Sequence, residues 1–313
     1  MNGSNLTKVS RSLGPAVGLV GLSIFLSFMT PAFLTVNNIL NVFRQVSVIS
    51  ILAAGETFVI LTGGIDLSVG SMLGLCGVIL AGTLKATEIT ALGVLVGLAL
   101  GSLLGFTNGI LISKGKLPPF CATLGMMAIA RGLAFVYTRG RPISGFSDSF
   151  RYFGTGYLGP IPVPIIIALV LYFFVYYILG QTPTGRYIYS LGSNETATRL
   201  SGIKTDYYKM LVYLLSGLFT GLAAVVFTAR INSGHPLAGQ SYELDAIAAV
   251  VIGGTSLSGG EGTIIGTFIG ALIMGVIRNG LNLINVDPYW QQVAIGAVII
   301  AAVLADRRGR IER

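Results

Sequence analysis

The chain of 313 residues is 53% hydrophobic and only 10% charged, and its mean hydropathy is +0.80. A soluble domain usually carries about 25% charged residues, so this composition excludes a soluble protein. The formal net charge is +8, but the basic residues are scattered between apolar runs and form no single patch, which argues against a nucleic-acid partner. We expect one membrane domain over residues 1–313, in contact with membrane lipid.

Apolar runs recur along the whole chain. About 20 apolar residues span a bilayer upright, and several runs are shorter, so ten crossings are expected, with eight or nine as alternatives. The predicted fold class is an all-α integral membrane protein, a bundle of about ten transmembrane helices with broken helices. The runs cover residues 13–30, 46–63, 67–84, 90–112, 118–137, 161–180, 208–229, 244–258, 262–284 and 288–305.

The basic residues predict which loops face the cytoplasm. Lys8 and Arg11 precede an apolar run that no small-residue cleavage site follows, so this run is expected to be a first membrane helix and not a removable signal. With the N-terminus inside, both termini are cytoplasmic, as the positive-inside rule requires. Twelve of the 20 basic residues then fall inside: Lys8, Arg11, Lys114, Lys116, Arg186, Arg199, Lys204, Lys209, Arg307, Arg308, Arg310 and Arg313.

Two glycine-rich strings resemble each other. "GGIDLSVG" (63–70) and "GGTSLSGG" (253–260) share the pattern Gly-Gly-x-x-Leu-Ser-x-Gly, by chance or as a structural repeat. Glycines loosen a helix and can interrupt it. An interrupted helix is stable in lipid only where protein or a water-filled cavity satisfies its free backbone groups. Close helix packing is the alternative explanation for these glycines. The candidate pathway residues are Gly63, Gly64, Asp66, Ser68, Gly70, Gly253, Gly254, Ser256, Ser258 and Gly260.

Several ionisable residues lie in or beside apolar runs. Asp66 either caps the helix that follows it or takes part in gating or substrate contact. Glu56, Arg131 and Arg278 raise the same question: each either has a functional role of this kind or forms an internal ion pair, with a partner that the sequence does not assign. Ser68 and Ser258 are expected to hydrogen-bond backbone groups that the breaks set free.

The predicted outer side carries an unusual basic group. Arg139, Arg141 and Arg151 lie together in sequence and could either pair with acidic residues of a docking protein or serve as anchors. Glu243 and Asp245 are expected at the outer mouth.

Five further residues have ordinary explanations. His235 has no Cys or acidic cluster beside it and is expected to be a loop residue, not a metal ligand. Tyr289 and Trp290 fit an aromatic interface anchor, with stacking on a sugar as the alternative. Cys76 and Cys121 lie in apolar surroundings and indicate neither a disulfide framework nor a metal site.

The string "LSGGE" at 257–261 resembles the signature with which ABC ATPases contact nucleotide phosphates. That signature works only beside a G-x-x-x-x-G-K-[ST] loop. The nearest string, "SKGKLPP" at 113–119, lacks both the first Gly and the Ser/Thr. We therefore predict that this chain does not hydrolyse ATP and that it binds no cofactor of its own.

The longest predicted cytoplasmic gap contains a short helix. In "SNETATRLSGI", Ser193 or Asn194 can cap the helix and Gly202 can end it. A short amphipathic helix of this kind either lies in the membrane interface or docks in a groove on a soluble partner.

The chain resembles the permease family of sugar ABC importers, within the branched-chain amino acid/sugar permease superfamily. Its match is densest to ribose-type permeases and runs from about residue 30 to 306. The strings that carry the resemblance are Gly185-Arg186, Gly192, Asn194, Ala197 and Gly202-Ile203, together with "GGIDLSVGS" (63–71), "YELDAIAAVVIGGTSLSGGEGT" (242–263) and "NGLNL" (279–283).

The resemblance implies a pore in the bacterial inner membrane made by two permease copies, as a homodimer or with a paralogue. It also implies a separate cytoplasmic ATPase, which binds ATP and Mg²⁺, and an extracytoplasmic sugar-binding protein. Residues 181–207 are then the coupling loop, and 193–203 contact the ATPase. The residues expected to couple are Arg186, Asn194, Glu195, Ala197, Arg199 and Gly202.

Two other function classes remain open from the sequence. An ion-coupled secondary carrier would use carboxylates at the membrane midplane, for which Glu56 and Asp66 are the plausible pair. An intramembrane aspartyl protease would need a second Asp in mid-helix beside Asp66, and none is evident. Ribose is the expected sugar by resemblance, with xylose, galactose, allose, inositol or a furanosyl signal molecule as alternatives.

Overall fold

The structure is a computed structural model. It describes the backbone of residues 3–311 and the side chains of residues 14–301, 303 and 304. Lys8, Arg11 and the basic residues from Arg307 onward, on which the predicted cytoplasmic termini depend, lie outside the described side chains.

Helices make up most of residues 3–311. Four two-residue strands form two small antiparallel ladders, β1 with β4 and β2 with β3. The helices are α1 (Gly3–Met29), α2 (Val36–Leu61), α3 (Val69–Thr87), α4 (Thr90–Ser113), α5 (Pro119–Thr138), α6 (Asp148–Thr155), α7 (Val163–Gln181), α8 (Pro183–Ser193), α9 (Glu195–Leu200), α10 (Thr205–Ile231), α11 (Tyr242–Ile252), α12 (Ile264–Leu283) and α13 (Pro288–Ile311). The strands are β1 (Ile143–Ser144), β2 (Tyr157–Leu158), β3 (Ile161–Pro162) and β4 (Ser233–Gly234).

Within the described residues, seven helices are long and apolar enough to cross a membrane: α2, α3, α4, α5, α7, α10 and α12. The apolar part of α1, Gly14–Met29, is shorter than these. The expected all-α class is therefore confirmed, and the ten expected crossings are supported for seven helices.

The apolar run over 244–258, which was expected to cross the membrane, does not form one continuous helix. α11 has 11 residues and ends at Ile252, so it is about 16 Å long at 1.5 Å per residue, against a hydrocarbon core of about 30 Å. The helix ends because Gly253 and Gly254 follow it, and Gly254 has a φ of +87° that glycine adopts readily. The apolar run continues past this point, but the helix does not.

Loops that the sequence assigned to one side of the membrane lie together. At the predicted outer end, β1 pairs with β4, the Nζ of Lys85 donates to the carbonyl oxygen of Gly145 at 2.5 Å, and the N–H of Phe146 donates to Oδ1 of Asn232 at 2.9 Å. At the opposite end, Lys116 and Asp206 form an ion pair of 3.1 Å. The predicted alternation of loops between two sides is consistent with these contacts.

α2 lies at the centre of the bundle. It is completely buried over residues 46–61 and packs against α7, α10, α11 and α12. α4, α5 and α7 are peripheral and expose large apolar side chains, among them Val136 and Phe173. This distribution fits a bundle whose outer surface faces lipid.

A seam of glycines joins α4 to α10. A Cβ at Gly105 would lie 2.8 Å from the Cα of Gly217, and one at Gly101 would lie 2.9 Å from the Cα of Gly221. Both distances are too short for a side chain, so the two backbones are in direct contact along this seam. Small residues permit such close helix approach in membranes.

Candidate functional site

The short helix predicted in the polar loop is present as α9. Asn194 precedes it with an extended backbone, and its Oδ1 accepts the N–H of Ala197 at 2.9 Å, which is the hydrogen bond of an N-cap. Beyond the helix, Gly202 adopts a φ of +84°. The predicted cap and stop are both confirmed.

Ion pairs hold α9 against the bundle. Glu195 pairs with Arg199 at 2.9 Å and with Lys209 on α10 at 2.7 Å. Arg199 also lies 3.6 Å from Asp206. Glu195 and Arg199, which the sequence analysis assigned to coupling, therefore position the helix on α10 through their side chains.

The face of α9 directed away from the bundle is partly apolar. Leu200 is 84% exposed, and Ala197 is exposed as well. Arg186, on α8, is also exposed. Leu200 was not among the residues predicted to couple, although it is a single leucine in an otherwise polar turn, between Arg199 and Ser201.

The two glycine breaks are in contact with each other. The N–H of Gly260, in the second break, donates to the carbonyl oxygen of Leu61, the last residue of α2, at 2.9 Å. A Cβ at Gly259 would lie 2.8 Å from the backbone nitrogen of Gly63. The similar strings therefore form one junction.

α8 completes this junction. Gly192 lies so close to Leu61 and Gly260 that a Cβ would collide with the carbonyl oxygen of the first and the nitrogen of the second. The hydroxyl of Tyr189 donates to the carbonyl oxygen of Gly262 at 2.9 Å, and burial raises the pKa of this tyrosine. The segment that carries α9 thus contacts both breaks directly.

The turns of the two breaks depend on glycine. Gly63 and Gly260 have φ values of +78° and +75°, where other residues are strained. In the second break, the N–H of Ser256 donates to the carbonyl oxygen of Glu261 at 2.9 Å, and the N–H of Ser258 donates to Oγ of Ser256 at 3.2 Å.

Asp66 lies fully buried in the first break. Its Oδ1 accepts the N–H of Ser68 at 3.0 Å and the hydroxyl of Ser68 at 2.5 Å, and its Oδ2 accepts the hydroxyl of Ser216 at 3.2 Å. Its Oδ1 therefore closes the turn that leads into α3, whose N-cap residue is Ser68 and not Asp66 as one of the two expectations had it. The hydroxyl of Ser68 binds this carboxylate, whereas the sequence analysis expected it to bind the backbone.

A cavity of about 220 Å³ joins α9 to the first break. Its wall includes Glu195 and Lys209 at one side and Gly63, Gly64 and Tyr213 at the other. The remaining glycine of this string, Gly70, is the second residue of α3, and a Cβ there would collide with the carboxylate of Glu243.

The basic group lies at the opposite end of the bundle. Arg139 and Arg141 are exposed, whereas Arg151 pairs with Asp148 at 3.2 Å. The structure thus leaves two of the three predicted docking arginines exposed and engages the third in a surface ion pair.

The expected internal ion pairs are confirmed for Arg278 only. Nη2 of Arg278 lies 2.6 Å and 2.8 Å from the two carboxylate oxygens of Asp245, which is fully buried. Asp245, which was expected at the outer mouth, is thus the buried partner of an internal ion pair. Arg131 instead donates to the carbonyl oxygens of Pro236 and Ala238, at 2.6 and 2.9 Å.

The five residues for which the sequence suggests ordinary explanations have the following environments. His235 is in a turn, where its Nδ1 accepts the N–H of Leu237 at 3.1 Å. Tyr289 and Trp290 are exposed at the start of α13. Cys76 is buried and Cys121 is exposed, and both are free thiols.

Comparison with known proteins supplies the decisive observation. The sequence model of the permease component of branched-chain amino acid transport systems matches residues 38–303. This chain belongs to that family. The matched range contains both glycine breaks and the α8–α9 segment, so the junction described above lies within the shared permease domain.

Full-length relatives of the permease bear the names of sugar importers. This chain is 49% identical to the ribose import permease protein of Bacillus subtilis (strain 168), over 96% of its own length and 94% of the relative's length. It is 50% identical to the ribose import permease protein of Haemophilus influenzae, over 93% and 91%, and 42% identical to the D-allose transport system permease protein of Escherichia coli (strain K12), over 91% and 88%. No solved structure matches it. The permease is a multi-pass protein of the bacterial inner membrane.

Proposed function

We propose that this permease is the membrane subunit of an ATP-driven ABC importer and that it carries ribose. The sugar is proposed from the printed names of relatives that are about half identical over more than nine tenths of the chain. A 42% identical relative is named for D-allose, which makes a second small sugar the natural comparison in an uptake assay.

The observation that carries the coupling proposal is the junction of α8 with both glycine breaks. A cytoplasmic ATPase that binds the exposed face of α9, at Ala197 and Leu200, can displace α8 by contact alone. Since Gly192 lies against Leu61 and Gly260, that displacement would move the ends of α2 and of the second break together. Packed contacts of this kind switch between discrete arrangements.

The partners follow from this arrangement. The ATPase binds ATP and Mg²⁺, a second permease copy or a paralogue forms the other half of the pore, and an extracytoplasmic binding protein delivers the sugar. Arg139 and Arg141 suit docking to an acidic surface of that protein. We further propose cytoplasmic termini, with α1, α13 and the α11 segment adding to the seven crossing helices.

The coupling interface can be tested with a single exposed residue. We expect Leu200→Glu to abolish co-purification of the ATPase and ATP-driven ribose uptake in reconstituted vesicles, while the thermal unfolding midpoint stays unchanged because Leu200 is 84% exposed. Leu158→Glu, at a 65% exposed leucine on β2, is the matched control and should keep both activities. Undiminished co-purification with Leu200→Glu would contradict the proposal.

The same vesicles distinguish the importer from an ion-coupled carrier. We expect uptake to require ATP and the ATPase, and to ignore sodium and proton gradients. Uptake by the permease alone, driven by an ion gradient, would support the carrier instead.

A further inference from the structure

A cluster of buried polar side chains lies where α2 gives way to α3. Glu56 and Asp66 are both fully buried, and the backbone N–H of Asp66 donates to Oε1 of Glu56 at 3.0 Å. Among the described residues, neither carboxylate forms an ion pair with Lys, Arg or His. Two buried carboxylates without a compensating cation are energetically unfavourable.

The hydrogen bonds of the two carboxylates are unequal. Asp66 accepts three hydrogen bonds, from the N–H and hydroxyl of Ser68 and from the hydroxyl of Ser216. Glu56 accepts the one from Asp66 at Oε1, whereas its Oε2 has no hydrogen-bond partner within the described part of the chain. The free oxygen therefore belongs to Glu56.

Two further oxygens beside this segment also have no partner within the described part of the chain: Oδ1 of Asn108 and the hydroxyl of Tyr213. Both residues are at most 1% exposed. Nδ2 of Asn108 donates to the hydroxyl of Ser68 at 2.9 Å, which places this amide beside Asp66. The hydroxyl of Tyr213 lies against Gly64, in the segment that carries Asp66.

Buried polar atoms in proteins are nearly always satisfied. Here the three unsatisfied atoms are oxygens, and they come from three different helices: α2, α4 and α10. We propose that these oxygens, with the carboxylate of Asp66, form a binding site for Na⁺.

The donor set favours a small, hard, monovalent cation. All of the atoms are carboxylate, amide or hydroxyl oxygens, which hard cations prefer. Nowhere among the described residues do three or more His, Cys, Asp or Glu side chains lie close enough together to bind one metal ion, which argues against a transition metal. A single proton would satisfy one unpartnered oxygen, whereas a cation can bind all three. Interrupted membrane helices also form Na⁺ sites in transporters, where backbone carbonyl oxygens bind the ion.

The cavity beneath α9 provides a route for the ion. It is lined by Glu195 and Lys209 and also by Gly64 and Tyr213, so the residue that supplies one of the three oxygens is also part of the cavity wall. Lys209 does not oppose entry of a cation, because Glu195 pairs with it at 2.7 Å. Bound Na⁺ would join α2, α4 and α10 on the side of the bundle where α9 docks, and would stabilise that packing.

The test uses purified permease in detergent and does not depend on transport. The thermal unfolding midpoint is measured in increasing NaCl, with KCl or N-methyl-D-glucamine chloride keeping the ionic strength constant. We expect Na⁺ alone to raise the midpoint, with saturation, because a ligand that binds only the folded state stabilises it. Glu56→Gln should abolish the response, and Tyr213→Phe should raise the half-saturating Na⁺ concentration by about tenfold or more.

Glu88→Gln is the matched control, since it removes an exposed carboxylate after α3, at the other end of that helix; its response to Na⁺ should equal that of the unmodified permease. Equal midpoints in the three salts would overturn the proposal. So would a response that follows pH and ignores Na⁺, because a proton would then occupy the cluster. If Glu56→Gln fails to fold, Tyr213→Phe decides, and an undiminished Na⁺ response in that variant contradicts the site.

Discussion

The backbone N–H of Gly260 donates to the carbonyl oxygen of Leu61 across 2.9 Å. Leu61 is the last residue of α2, and its carbonyl has no partner within its own helix at that position. Gly260, in the second glycine break, thus supplies a hydrogen bond to the terminal carbonyl of α2, the helix that leads into the first break.

Gly192 tests this junction, because it touches both residues. A Cβ would collide with the carbonyl oxygen of Leu61 and lie 2.5 Å from the nitrogen of Gly260, and neither backbone atom can rotate away. We expect Gly192→Ala to lower the free energy of unfolding by about 1–3 kcal/mol and to abolish ATP-driven uptake. Thermal unfolding and vesicle uptake measure the two effects. Gly180→Ala, at a glycine with nothing within 4 Å of the added carbon, should be neutral, and equal behaviour of the two variants would contradict the prediction.

Tyr189 tests the second link between α8 and the break. Removing its hydroxyl in Tyr189→Phe should cost about 0.5–1.5 kcal/mol and reduce uptake at unchanged ATPase binding. Burial raises the pKa of Tyr189. The contribution of its neutral hydroxyl to the free energy of unfolding is therefore complete below the ordinary phenol value of about 10, and it is lost only as pH rises through the higher folded-state pKa. Tyr176→Phe, on the exposed face of α7, is the control. A loss of coupling in both variants would argue against a specific role.

The Asp245–Arg278 pair predicts a stability effect far from the junction. Asp245→Asn leaves the guanidinium of Arg278 without its carboxylate partner, and we expect a loss of about 3–5 kcal/mol, measured by thermal or denaturant unfolding. Combining it with Arg278→Gln should restore part of that loss. Asp148→Asn breaks a surface pair with Arg151 in which the carboxylate is 97% exposed, and it should change stability little.

The exposed arginines predict a kinetic effect. Arg139→Glu with Arg141→Glu should slow association with the sugar-binding protein, and the difference from the unmodified permease should shrink at high salt. Surface plasmon resonance at two ionic strengths measures both. Lys114→Glu makes the same type of charge change at an exposed residue of the other end and should leave the association rate unchanged. A salt-independent defect would point to damaged folding and not to docking.

Sequence reasoning succeeded where the signal was local. The Asn194 cap and the Gly202 stop of α9 are set by residues within one turn, and both were predictable. The length of α11 was not, because hydropathy continues past Ile252 while the left-handed backbone of Gly254 ends the helix. The burial of Asp245 also escaped prediction, since its partner lies on another helix.

The same limit applies to the candidate site. Each glycine break was identified from its own string, but their mutual contact brings together residues almost 200 positions apart. Leu200 was missed because exposure, not composition, distinguishes it. Long-range packing decides both features, and a single sequence carries no direct record of it.

The glycine seam between α4 and α10 has a mechanical consequence. Because the two backbones are in direct contact at Gly101 and Gly105, a tilt of one helix would disturb the packing of the other, and we expect the two helices to move together. α10 begins at Thr205, beside α9, and extends for 27 residues to Ile231, about 40 Å at the usual rise per residue. A tilt imposed at the end where α9 docks would therefore be transmitted along α10 to the β1–β4 ladder at the far end.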